Sequence, residues 1–184
     1  CTHGEFVAAA LKAEPAAKIV GGWEADPSRQ QGLADAMGLA LVASPEQLLD
    51  DPAIDIIAIA CSPHEKAGWV EKVAQAGKHI FLNKPLAESL DSAERIKRAV
   101  NQSDIQFVYD IPVIVRFQPL TAKILEQVRA GVYGRPINHM HSWSMTFSPD
   151  FPLPTIWPER LDPPARSGGG ELTNMGCYAI DYMV

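Results

Sequence analysis

Apolar positions run through the first 110 residues in two alternating periods. Short, nearly continuous apolar stretches, "AKIVGGW" (17–23), "LALVA" (39–43), "DIIAIA" (55–60), "KHIFL" (78–82) and "IQFVYD" (105–110), predict strands that are apolar on both faces. Between several of them the spacing becomes helical, predicting helices over 5–14, 27–37, 64–77 and 88–101. Ser89-Leu90-Asp91 ahead of "AERIKRAV" forms a helix start, and Gly77 in "EKVAQAGKH" a helix stop. Strands alternating with helices of this length imply βαβ units and a doubly wound parallel sheet, an α/β class.

The pattern changes beyond that point. "PLTAKILEQVRAGVYG" (119–134) predicts a helix closed by glycine, and "RPINHMHSWSMTF" (135–147) one long alternating strand. A proline-rich irregular stretch follows, and then a helix from Glu171. A long strand after a βαβ unit predicts a second, α+β domain on a mostly antiparallel sheet. The expected division is a dinucleotide-binding domain over 1–115 and the beginning of a substrate-binding and oligomerisation domain over 116–184. The chain opens on Cys1 and stops at "AIDYMV" with no helix cap. It is therefore expected to be cut at both ends and to lack its first strand.

Composition narrows the function classes. The 184 residues are 47% hydrophobic and 21% charged, enough for a sizeable core. A net charge of −6, without a Lys/Arg stripe, speaks against nucleic acid as a partner, and no apolar run approaches the length of a membrane span. Cys1, Cys61 and Cys177 are odd in number and sit in no metal-binding spacing, so a reducing, cytoplasmic setting is expected, with no metal.

Three places carry candidate chemistry. In a doubly wound sheet, ligands lie outside the carboxyl ends of the strands, beside helix N-termini. "CTHGEF" reads as such a turn, which makes Thr2, His3 and Gly4 candidate cofactor contacts. Glu24 comes 20 residues after Gly4, at the end of a predicted strand, where an acidic side chain would bond a ribose 2′-hydroxyl. Arg29 could lie over the adenine or meet a 2′-phosphate. The Cys61-Ser62 turn after the strand 55–60 could touch the cofactor ribose, while His64 reads as an exposed residue of the helix start. Lys84, stiffened by Pro85 at the tip of the strand 78–82, is either a solvated turn residue or a cationic catalytic group.

"AGKHIFLNKPLAESLDSAERI", "VIVRFQPLTAKILEQVRAGVYGRPI" (113–137) and "GGGELTNMGCYAIDY" (168–182), in this order, resemble the glucose–fructose oxidoreductase, inositol dehydrogenase and rhizopine-catabolism family, Gfo/Idh/MocA. The resemblance covers essentially the whole chain. It implies a nicotinamide-dependent oxidoreductase, using NAD or NADP, that moves a hydride between the cofactor and a hydroxyl carbon of a sugar or polyol. By the same resemblance Asn83 and Lys84 lie at the cofactor, Lys84 and Tyr178 are catalytic, and Asn174 and Arg116 meet the substrate.

Two family carboxylates are replaced by amides, at Asn83 and Asn174, which leaves a less negative field around Lys84 and makes its proton easier to lose. Residues 174, 178 and 181 share one helix face, so Asn174, Tyr178 and Asp181 are presented together. Tyr178 would move the hydroxyl proton if Lys84 lowers its pKa, whereas Asn174 can only orient a hydroxyl. His139 and His141 alternate on one face of the long strand and read as sheet-face residues, Trp143 adding to a surface fit for packing, sugar stacking or subunit contact, and a homo-oligomer through the sheet of this second domain is expected. Two other functions stay open: a redox-neutral, NAD-using glycosidase or lyase of the same fold, and a non-catalytic sugar or cofactor sensor.

Overall fold

A computed structural model of the chain describes residues 2–110, 118–135, 137, 138, 140, 142 and 163–181. Three parallel strands form its sheet: β1 (Ile56–Ile59), β2 (His79–Asn83) and β3 (Phe107–Asp110), side by side in that order. The helices that bear on the site are α1 (Thr2–Lys12), α2 (Pro27–Met37), α3 (Glu46–Leu49), α4 (Pro63–Gln75) and α5 (Leu90–Asn101). Further along come α6 (Pro119–Arg129), α7 (Pro164–Ser167) and α8 (Glu171–Asp181).

The register explains where the core lies. Ile57, Ile80 and Phe107 stand abreast, and Ile59, Leu82 and Tyr109 two residues on. These rows share one sheet face, because strand side chains alternate. Against it pack Ala67, Val70, Val73 and Ala74 of α4 and Ile96 of α5, closing one buried cluster. Arg95 of α5 grips Glu71 of α4 through two hydrogen bonds of 2.9 and 2.6 Å. The intervening row is Ala58, Phe81 and Val108. On that opposite face Ile56 is 59% and Val108 53% exposed.

The helix boundaries follow their local chemistry. Asp26 caps α2, its carboxylate accepting from Ser28 N at 2.9 Å, and Pro27 takes the first helical position, where no amide donor is needed. Ser89 caps α5 by accepting from Ser92 N. Gly77 ends α4 at φ +70°, the left-handed conformation only glycine adopts freely, and turns the chain into β2.

Two expected strands are not formed. Residues 17–23 and 39–43 join no ladder, and the two segments share one bond, from Val42 N to Gly22 O at 2.9 Å. Two adjacent glycines, Gly21 and Gly22, weaken the first segment as a strand, and side chains of the following helices pack on their bare backbone. A Cβ on Gly22 would stand 2.4 Å from Met37 Cε, and one on Gly21 2.8 Å from Leu48 Cδ2. These glycines receive α2 and α3 instead of carrying strand side chains of their own. The helix expected over 5–14 runs over 2–12, so Thr2, His3 and Gly4 belong to the first turn of α1 rather than to a turn before it. The helix expected over 119–134 stops at Arg129, and Gly131 and Gly134 carry positive φ beyond it. The strand expected over 135–147 falls largely outside the described residues, as do Arg116, His139, His141 and Trp143.

Candidate active site

Each strand ends at the same edge of the sheet, and the candidate chemistry gathers there. Asn83 and Asp110, the last residues of β2 and β3, are register partners, and Asn83 Nδ2 donates to Asp110 Oδ2 at 3.1 Å. Lys84 N donates to Asp110 O at 3.1 Å, so the backbone of Lys84 continues the ladder one step past the strand. The Lys84–Pro85 peptide bond is cis.

The Lys84 side chain is 5% exposed, which rules out a solvated turn. Its Nζ donates to Asn174 Oδ1 and stands over the ring of Tyr178, 5.6 Å from the centroid. Both partners belong to α8, one turn apart, as the helical spacing of 174 and 178 requires. A cation within about 6 Å of a ring face is attracted by its quadrupole. Lys84 therefore meets Tyr178 through the ring face, a contact the spacing alone did not indicate.

α8 is brought to Lys84 by the glycine run before it. Gly168, at φ +75°, presses on the backbone of Glu88, where an added Cβ would lie 2.7 Å from both Cα and O. Thr173 Oγ1 donates to Gly168 O at 2.7 Å and Gly170 N donates to Ser167 Oγ at 3.2 Å, which fastens the run to the helix it starts.

Beneath Lys84 lies a second lysine. Lys66 of α4 is fully buried, and its Nζ donates to the carbonyls of Asn83 and Pro85. Burial, with the charge of Lys84 beside it, pushes its pKa down from an ordinary 10.5 to about 7, against the opposing effect of Cys61 and Cys177. Burial likewise pushes the Cys61 thiol up to about 12, against the pull of Lys66, and raises the Cys177 thiol and the Tyr109 hydroxyl.

These shifts have opposite signs in stability. Between about pH 7 and 10.5 the unfolded chain holds the Lys66 proton and the folded chain does not, so stability rises with pH. Above an ordinary thiol pKa of 9.0 the folded chain retains the Cys61 proton that the unfolded chain releases, and stability falls. Urea unfolding is expected to show a gain of about 2 kcal/mol from roughly pH 7 to 9 and no further gain above. In Lys66→Met the rise should be gone.

The remaining candidates are spread along the same edge. Glu24 Oε1 accepts from Asp26 N at 2.9 Å and Gln30 Nε2 donates to Glu24 O at 3.0 Å, so the loop is shaped around the residue. Arg29 Nε is held by Asp26 Oδ2 at 3.0 Å. Cys61 and Ser62 lead from β1 into α4, and Gly4 lies near Ala60 at that strand end. His64, expected to be exposed, is half-buried, and its Nδ1 is buried without a hydrogen-bond partner, as is Glu88 Oε2. The first turn of α4 faces the strand edge instead of solvent.

Sequence reasoning missed Asp110, Lys66 and His64. Asp110 was legible as the terminal residue of "IQFVYD", the counterpart of Asn83, and it returns a carboxylate to an edge expected to be poor in negative charge. Lys66 had one signal, a lysine at a core position of the α4 pattern. Among the described residues no group of three or more His, Cys, Asp or Glu side chains is placed to hold a metal, and no helix is long and apolar enough to cross a membrane.

Comparison with known proteins agrees with the fold that carries these residues. The chain is 29% identical over 157 residues to D-xylose 1-dehydrogenase (NADP(+)) 2 of Haloferax volcanii, covering 84% of this chain and 45% of that protein. It is 28% identical over 124 residues to scyllo-inositol 2-dehydrogenase (NAD(+)) of Bacillus subtilis, covering 67% and 36%. The chain thus spans less than half the length of these curated relatives. A solved levoglucosan dehydrogenase, in complex with NADH and levoglucosan, superposes with a TM-score of 0.74 at 25% identity, over 98% of this chain and 50% of that one. The profile of the oxidoreductase family with an NAD-binding Rossmann fold matches residues 2–110, more than half of the sequence. The chain belongs to that family, Gfo/Idh/MocA.

Proposed function

We propose that the chain forms the cofactor half, to about residue 115, and the opening of the substrate domain of an NAD(P)-dependent oxidoreductase acting on a hydroxyl carbon of a sugar or polyol. The observation that carries this reading is Lys84, a cation buried at the end of the central strand and held against Asn174 and Tyr178 of a later helix. Such a cation is suited to a reacting oxygen rather than to solvent. The dehydrogenase activities named for the relatives, on xylose, scyllo-inositol and levoglucosan, support the substrate class.

The residues present fit a dinucleotide. A shaped loop carries Glu24 beyond the first α-helix, and an unpartnered Nδ1 of His64 lies at the strand edge. Nicotinamide, when bound, accepts or gives the hydride. Glu24 would take the ribose hydroxyls, and Thr2, His3, Gly4, Cys61, Ser62 and Asn83 would line the cofactor's path. Glu24, suited to a ribose 2′-hydroxyl, favours NAD over NADP, while Arg29, exposed beside Asp26, is the residue that would meet a 2′-phosphate. Lys84 would steady charge developing on the substrate oxygen, Asn174 and Arg116 would orient the sugar, and Tyr178 would exchange the hydroxyl proton. The cytoplasmic setting and homo-oligomeric assembly through the second domain belong to the same reading. Scattered cysteines support the former and the alternating sequence pattern over 135–147 the latter.

Calorimetric titration of NADH and NADPH into the full-length protein, followed by a sugar and polyol panel with each cofactor, tests it. Binding with NADH preferred, and net cofactor turnover on a panel member, is expected. Altered sugar without net turnover would move the function to the redox-neutral class. Binding with no change in the sugar would move it to a sensor, and no nucleotide binding would end the reading.

A further inference from the structure

The buried stripe of α4 runs Pro63, Lys66, Ala67, Val70, Val73, Ala74, an apolar face interrupted by one lysine. Lys66 is 0% exposed, and an ammonium so placed is costly unless its hydrogen bonds are made. Its two acceptors are the carbonyls of Asn83 and Pro85, the residues immediately before and after Lys84. One nitrogen thus ties the peptide before Lys84 to the peptide after Pro85, while Asp110 O holds the Lys84 amide. The short backbone segment that carries Lys84 is therefore held at both of its ends.

We propose that Lys66 is a positioning residue for Lys84, clamping the two flanking carbonyls so that the Lys84 ammonium is delivered to Asn174 and the reacting oxygen. This rests on the reading of Lys84 as catalytic. The clamp does not depend on the charge of Lys66. A neutral amine still has two N–H donors, which matches the two carbonyls, so the depressed pKa leaves the clamp intact on either side of neutrality. The groups whose charges act on Lys66 are Lys84, Cys61 and Cys177, from the strand end, the turn after β1 and α8 respectively.

Three variants of the full-length protein test the inference: Lys66→Met, with similar bulk and no donor; Lys66→Gln, neutral, with two N–H groups on one nitrogen; and Lys84→Met. In Lys66→Met kcat is expected to fall about 10- to 100-fold while cofactor Kd and sugar KM stay within about threefold, the cost of a misplaced catalytic group. Lys66→Gln should recover most of the lost kcat. A folded Lys66→Met with parental kcat, or a Gln variant no better than Met, overturns the clamp. Should Lys66→Met not fold, Lys66→Gln decides. Retention of about a tenth of kcat or more supports the clamp, and a folded, inactive protein overturns it. Parental turnover in Lys84→Met would instead bring down the reading of Lys84, which is a separate failure.

Discussion

Lys84→Met is expected to lower kcat by roughly 10²–10⁴-fold in the full-length protein while NADH affinity changes little. Methionine fills nearly the same volume, so the strand tip keeps its packing and loses only the ammonium. The Asn174 amide then lacks its donor and the Tyr178 ring its cation, both half-buried and close enough to water to be resolvated. The loss should therefore appear in turnover, not in folding. Steady-state kinetics on the responsive sugar, alongside a thermal melt, separates the two. A variant that melts as the parent does and turns over within about twofold of it would leave Lys84 no catalytic role.

Gly168→Ala carries the second large effect, and it acts on both stability and turnover. At φ +75° an alanine costs about 1–2 kcal/mol in backbone conformation alone. The added carbon would also stand 2.7 Å from the Cα and O of Glu88, backbone atoms that cannot swing aside. The glycine run must lift off α5's entry loop, and α8 moves with it, taking Asn174 and Tyr178 from Lys84. A displacement near 1 Å at a reacting group can cost about 100-fold in rate. The expected result is a lower melting temperature together with a drop in kcat of that order. By contrast Gly170→Ala, whose added carbon meets nothing within 4 Å, faces only the unfavourable φ of +60°. Equal kcat losses in the two variants would show that contact with Glu88 is irrelevant.

Much of the fold was legible because its signals are local. The strands at 55–60, 78–82 and 105–110 and the helix over 27–37 stand where apolar runs, Asp26-Pro27 and Gly77 place them. The predicted strands at 17–23 and 39–43 failed because a ladder is a property of two partners: the Gly21-Gly22 pair weakens the first segment as a strand, and a bond from Val42 N to Gly22 O is what joins it to the second. At the site, Lys84 was singled out by its strand tip and Asn174 and Tyr178 by the family resemblance, their i, i+4 spacing setting them on one helix face, and the structure does bring them together. The sense of the Tyr178 contact, over the ring face, depends on side-chain torsions that no spacing encodes. Lys66 showed only as a lysine at a core position of the α4 pattern, and its role stayed hidden for a related reason: its acceptors are main-chain carbonyls, which leave no mark in a list of side chains.

Because β2 lies between β1 and β3, it is flanked by partner strands on both sides, with His79 N bonded to Asp55 O and Ile80 N to Gln106 O. The described side chains of α8 include none that is fully buried. In amide-exchange terms the two halves of the site belong to different tiers of protection: β2 exchanges only when the sheet opens, and α8 when a far smaller unit lets go. The cation thus sits on the slow half and its amide and aromatic partners on the fast one. On the proposed function, loosening α8 would be the route by which a bound sugar leaves, with Lys84 still fixed on the strand for the next one.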